Sequence, residues 1–232
     1  MAMLVDVSAG LATEKAMEQA RSGQAEGWCA VERATDDSAA AEQVALAAIL
    51  RPGVAMGNFQ ALPYVVAMGA VDAFRAWGCV SNVGIQWPST LVCGAPAFTD
   101  ELARVRINAG AGEGGMFAVA TLVLDVAAFA SLELDVQLPD AVEPLVNAIV
   151  ARVDAWGAAL GPKQSAGPLA PVLNEYFDMV PMLGHQVAVC GPNGHALDTG
   201  TFAGLDIWGR ATVLTPAGER EYPAEAVTLH RL

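Results

Sequence analysis

Arg104 and Arg106 lie two positions apart in Leu102 to Ile107, a segment that reads as a β-strand. At that spacing both guanidinium groups face one side of the strand. Such a pair can hold a carboxylate or a phosphate; the plainer reading is an exposed or ion-paired strand face. The run Gly110-Ala111-Gly112-Glu113-Gly114-Gly115 formally fits G-x-G-x-x-G. That fingerprint needs a helix behind it, so that a helix N-terminus meets the pyrophosphate. Met116 to Val126 reads as a strand instead, so a hairpin loop is expected. His185, His195 and His230 have no cysteine or carboxylate at ligand spacing, and no metal is expected. Glu32 and Asp36 read as solvated loop carboxylates. No nucleophile elbow and no Ser-His-Asp order stand out.

Composition narrows the partners. The chain has 232 residues, with 25 Asp+Glu against 12 Lys+Arg and a formal net charge of −13. Such a surface repels phosphate backbones and anionic lipid, which argues against nucleic-acid and membrane partners. Cys29, Cys79, Cys93 and Cys190 lie far apart with no C-x-x-C pair, as expected for small buried hydrophobes in a reducing compartment. Met1 to Leu11 lacks the charged and apolar regions of a signal peptide, and Met116 to Ala130 is too short to span a bilayer. A cytoplasmic protein is expected.

The elements that must position these groups follow from periodicity and breakers. Thr13 to Ser22 reads as an amphipathic helix closed by Gly23. Trp28 to Glu32 reads as a strand, followed by the glycine-free acidic run Arg33 to Glu42. Gln43 to Leu50 reads as a buried strand ended by Arg51-Pro52. Ala61 to Trp77 has helical spacing and stops at Gly78. Asn82 to Trp87, Leu91 to Cys93, Leu102 to Ile107 and Met116 to Val126 read as four successive strands. Helices are expected over Asp140 to Leu160 and Leu169 to Val180, joined by Gly161 to Pro168. After Pro181 the chain turns to five short alternating β segments, which suggest an SH3-like barrel. The expected architecture is therefore α/β (α+β), a mixed sheet with packed helices over 1–182 and a small β-barrel over 183–232.

This order of elements resembles the biotin/lipoate protein ligase family over nearly the whole chain. Ile85-Gln86-Trp87-Pro88-Ser89-Thr90-Leu91-Val92 resembles the family's K-W-P-N-D-L segment. Ala45 to Pro52 resembles its strand ending in L-x-P. Gly184-His185-Gln186-Val187 and Gly200 to Asp206 resemble the opening and the G-x-x-x-G-I-D turn of its C-terminal domain. The resemblance implies an enzyme that activates a carboxylic acid with ATP and passes the acyl group to a carrier lysine. Attack at the α-phosphorus builds negative charge, so fixed cations and backbone donors are needed.

The departures fall on those cations. Where the family has G-R-G-R-x-G-R, this chain has Ala34-Thr35-Asp36-Asp37-Ser38 after a single Arg33. Gln86 replaces the lysine before tryptophan, Ser89-Thr90 replaces N-D, and Glu101 replaces the lysine of K-L-A-G-I. Each charged hydrogen bond lost at a preorganised site removes about 3–4 kcal/mol of transition-state stabilisation. Gln86, Trp87, Ser89, Thr90, Glu101, Arg104 and Arg106 are therefore expected as pocket residues, with none assigned to catalysis.

Three readings stand. The first is a ligase-like protein that has lost adenylation and retains a binding or regulatory role toward a small carboxylic acid, with biotin or lipoate as ligand and ATP disfavoured. The second is an active ligase or acyl transferase with a rearranged site, its nucleophile drawn from Cys79, Cys93 or Lys163. The third is an interaction module for a protein partner, such as a homodimer joined through a sheet edge.

Overall fold

The structure is a computed structural model describing residues 4–6, 11–35, 42–161 and 167–232, with residues 4–6, 34 and 35 as backbone only. Seven strands form the larger sheet: β1 (Leu4–Asp6), β2 (Cys29–Thr35), β3 (Glu42–Leu50), β4 (Val83–Gln86), β5 (Thr90–Cys93), β6 (Asp100–Gly112) and β7 (Gly115–Asp125). Their order is β1-β2-β3-β7-β6-β5-β4, with β1 parallel to β2 and the other pairs antiparallel. Strand β3 is nearly all apolar because helices cover the sheet on both sides of it.

One face carries α2 (Leu62–Ala76) and α4 (Leu138–Leu160). They approach closely at Gly69, where a Cβ would lie 2.8 Å from the Ile149 Cα. A 3-10 turn over Met56–Ala61, not foreseen, leads into α2. The other face carries α1 (Ala12–Arg21), whose small residues Ala12, Ala16 and Ala20 pack on Trp28, Ala47, Ile49, Phe117 and Val119. Asp125 ends β7 and caps α3 (Val126–Ala130) by accepting the Ala128 N–H at 2.8 Å.

The helix expected over Leu169 to Val180 shrinks to α5 (Leu173–Phe177). Pro171 disfavours helical backbone at Ala170 and Pro181 does so at Val180, so the regular helix is confined between them; the Leu169 N–H donates to the Ile207 carbonyl at 3.0 Å. All five C-terminal segments are strands: β8 (Gln186–Cys190), β9 (Ala196–Leu205), β10 (Ala211–Thr215), β11 (Gly218–Tyr222) and β12 (Thr228–Arg231). They form an antiparallel sheet ordered β11-β10-β9-β8-β12. Its end strands β11 and β12 do not pair with each other, so the expected barrel is an open sheet. Val187, Phe202 and Leu229 of this sheet join the same core as Leu46, Met68 and Ile149. No helix among the described residues is long and apolar enough to cross a membrane.

Candidate functional site

Cross-strand register builds the site. On the α1 side of the larger sheet, Gln86, Thr90, Arg104, Val123, Ala45 and Glu32 stand in one row across β4, β5, β6, β7, β3 and β2. Paired residues in adjacent strands share a face, so these six side chains belong to one surface. Three strand spacings separate Glu32 from Arg104, roughly 14 Å. The next row on that face is Arg106, Thr121, Ala47 and Ala30. Thr121 is buried, and its hydroxyl lies 2.8 Å from that of Thr13 in the first turn of α1.

Glu32 closes one end of the row and corrects the expectation of a solvated loop carboxylate. It is 7% exposed on β2, and its Oε2 accepts the Ala12 N–H at 3.1 Å. The residue before α1, Leu11, has no capping side chain, so the helix takes its acceptor from a strand instead. Asp36, its companion in that expectation, lies outside the described residues, as do Asp37 and Ser38 of the segment replacing the glycine–arginine loop.

The arginines occupy the other end. Arg104 and Arg106 are both exposed on the face predicted from their spacing. Arg104 pairs through Nε with Glu101 Oε1 at 2.5 Å, the two side chains being 60% and 41% exposed. An ion pair that open to water contributes little stability, but it neutralises Arg104 locally. Among the described residues Arg106 makes no ion pair.

The remaining sequence-predicted residues are dispersed. Gln86 donates Nε2–H to the Leu229 carbonyl on β12 at 2.8 Å, so its amide is spent on joining the two sheets. Trp87 is core: its indole N–H donates to the Gly209 carbonyl at 3.0 Å, which also accepts the Tyr64 hydroxyl at 2.8 Å. Ser89 lines a cleft with Val105, whose side chain is on the opposite face from Arg104 and Arg106. Thr90 and Glu101 stay beside Arg104. The register thus brings together Thr90, Glu101, Arg104 and Arg106, leaves Gln86 in their row but engaged, and separates Trp87 and Ser89. Thr13, Thr121 and Glu32 were missed as members of this face. Thr121 was the available signal, a lone hydroxyl within the apolar run Met116 to Leu124.

The glycine run proves to be packing. Strand β6 continues through Gly112 and β7 begins at Gly115, so the expected hairpin forms with a tight two-residue turn. A Cβ at Gly112 would strike the Arg21 backbone, and one at Gly114 would lie 2.6 Å from Arg51 Nη1. Arg51 in turn donates to the Ala20 and Gln24 carbonyls at the end of α1, at 2.9 and 2.8 Å. The glycines therefore let the hairpin tip dock against that helix end.

All four cysteines are free and buried. Burial, with the Asp100 carboxylate nearby, pushes the Cys93 thiol up to about 11, and burial also raises Cys79. Neither is a ready thiolate at neutral pH; Lys163 lies outside the described residues. Among the described residues no three His, Cys, Asp or Glu side chains gather as a metal site.

No family model matches the sequence, nor does any curated protein. Solved structures do match over the whole chain. The biotin protein ligase of Aquifex aeolicus is 13% identical with a TM-score of 0.71, covering 100% of this chain and 98% of that one. The same ligase in complex with biotin and ATP is 14% identical at TM-score 0.71, covering 100% and 99%. A biotin protein ligase-like protein of unknown function from Silicibacter sp. TM1040 is 18% identical at TM-score 0.66, covering 96% and 95%.

Proposed function

We propose that this chain, which has the fold of the biotin protein ligases, binds a small carboxylic acid on its arginine-bearing sheet face and does not activate it with ATP. The observation that carries this reading is Arg106: an exposed guanidinium with no ion pair among the described residues, beside the Thr13–Thr121 hydroxyl pair. Ala45 and Val123 supply an apolar floor, and Glu32 on β2 makes the far end of that row polar. An elongated acid with a hydrogen-bonding head complements that pattern: its carboxylate meets Arg106, its chain lies on the floor, and its head reaches the polar end. Biotin, lipoate and octanoate are the first ligands to try, since one structure of this fold holds biotin and ATP.

The absence of adenylation follows from charge. Of the two positions where the family resemblance calls for lysine, Gln86 is neutral and bonded to Leu229, while Glu101 is an acid paired with Arg104. Forming an acyl-adenylate requires cations aimed at the α-phosphate as charge develops; a carboxylate there opposes it. The transferase alternative gains no support from Cys79 or Cys93, whose thiols are buried and protonated at neutral pH. Acid-dependent ATP–pyrophosphate exchange tests the proposal, alongside thermal shift with each acid. A stabilising shift without exchange is expected. Exchange above the no-enzyme blank means a working ligase, and no shift with any acid removes the binding role.

A further inference from the structure

A second cleft, of about 580 Å³, opens on the opposite side of the larger sheet, where the start of α2, the turn between β4 and β5, and the C-terminal sheet meet. Its size suits a small organic molecule. Pro63, Pro88 and Pro223 line it together with Trp208, which is 49% exposed. The turn presenting that indole is braced. Asp206 Oδ1 accepts the Trp208 and Arg210 N–H groups, each at 2.9 Å. The Gly209 carbonyl accepts Tyr64 and Trp87, and Gly209 itself has φ +92° with its Cβ position against the Tyr64 ring. An exposed aromatic on a fixed turn is a ready stacking surface.

Two observations give the ligand's chemistry. Ser89 is only 6% exposed, lines the cleft, and makes no hydrogen bond among the described residues. Its Oγ is not sealed off and can bond a molecule held in the cleft. The charge around the cleft is negative: Arg210 is paired with Asp206 at 2.6 Å and Glu221 at 2.8 Å, while Glu225 lines the cleft as a further carboxylate. Three acids against one guanidinium, on a chain of net charge −13, attract a cation and repel an anion.

We propose that this cleft binds a protonated organic amine carrying an aromatic ring. The ring stacks on Trp208 between the prolines, the ammonium faces Glu225 with added attraction from the indole, and one N–H donates to Ser89 Oγ. This site is independent of the acid-binding face, because Val105 and Arg104 point to opposite sides of β6.

The test is calorimetric titration at low salt with phenethylamine, and with phenethyl alcohol and phenylacetate as neutral and anionic counterparts. The amine should bind more tightly than the alcohol, and the acid not at all. Trp208→Ala should weaken the amine about tenfold, and Glu225→Gln should erase most of the preference for amine over alcohol. Both side chains are exposed, and circular dichroism checks that the variants fold. Amine binding no tighter than the alcohol's, unchanged binding in Trp208→Ala, or no amine binding would each overturn the proposal.

Discussion

Gln86 donates its side-chain amide to the Leu229 carbonyl at 2.8 Å, joining the edge strand β4 of the larger sheet to the edge strand β12 of the smaller one. A residue that the family resemblance assigns to charge chemistry thus holds the fold together here. The two sheets are also tied through the Gly209 carbonyl and through one continuous core, so their relative position is over-determined.

Gln86→Ala should therefore cost stability rather than acid binding. Leaving the partly buried Leu229 carbonyl unpaired costs about 1–2 kcal/mol. Urea unfolding should give a lower midpoint with an unchanged slope, and acid affinity should stay within experimental error.

Glu32 holds the N-terminus of α1. Glu32→Ala should lose about 1–2 kcal/mol, the range for removing a helix cap with its favourable charge. Glu32→Gln keeps an acceptor and should lose less than half as much, as read from the same unfolding curves.

At Gly112 the cost is steric. A methyl group there meets the Arg21 backbone, which cannot swing aside as a flexible side chain would. Gly112→Ala should destabilise by about 1–3 kcal/mol. Gly115→Ala probes strain without collision, because Gly115 has φ +88° and open space around its Cβ position. Thermal melts of the two variants separate clash from backbone strain.

Glu26 gives a pH signature. Burial raises its carboxyl above the usual range, partly offset by the Arg51 backbone N–H, which donates to Oε1 at 2.6 Å; Asp154 adds a smaller upward push. A raised folded-state value means that the folded chain holds this proton more tightly than the unfolded chain. Its contribution to stability is complete below the ordinary glutamate value and is lost as pH rises through the raised one. Glu26→Gln keeps the acceptor and removes the titration. Its stability relative to the wild type should therefore improve between about pH 4 and pH 7, as read from urea midpoints across that interval.

Much of this architecture was legible from periodicity. The alternation in Leu102 to Ile107 put Arg104 and Arg106 on one face, and proline and glycine marked most element ends. Long-range pairing was hidden. Nothing local tells Glu32 that it will meet Ala12, or Ser89 that it will turn away from Thr90 into another cleft. The helix expected from Leu169 starts only at Leu173, because Pro171 disfavours helical backbone at Ala170 and the chain before it turns instead toward Ile207. The hairpin at the glycine run was legible, but the contacts that need glycine there, at Arg21 and Arg51, were not, since they come from distant segments.

The most direct test of the account is calorimetric titration of wild type and Arg106→Ala with biotin, lipoate, octanoate and ATP, each alone at low salt. The account predicts heat for at least one acid and none for ATP, with the acid weakened about tenfold or more in Arg106→Ala, as expected when a charge-assisted hydrogen bond is lost. ATP binding, or acid binding that ignores Arg106→Ala, would contradict it.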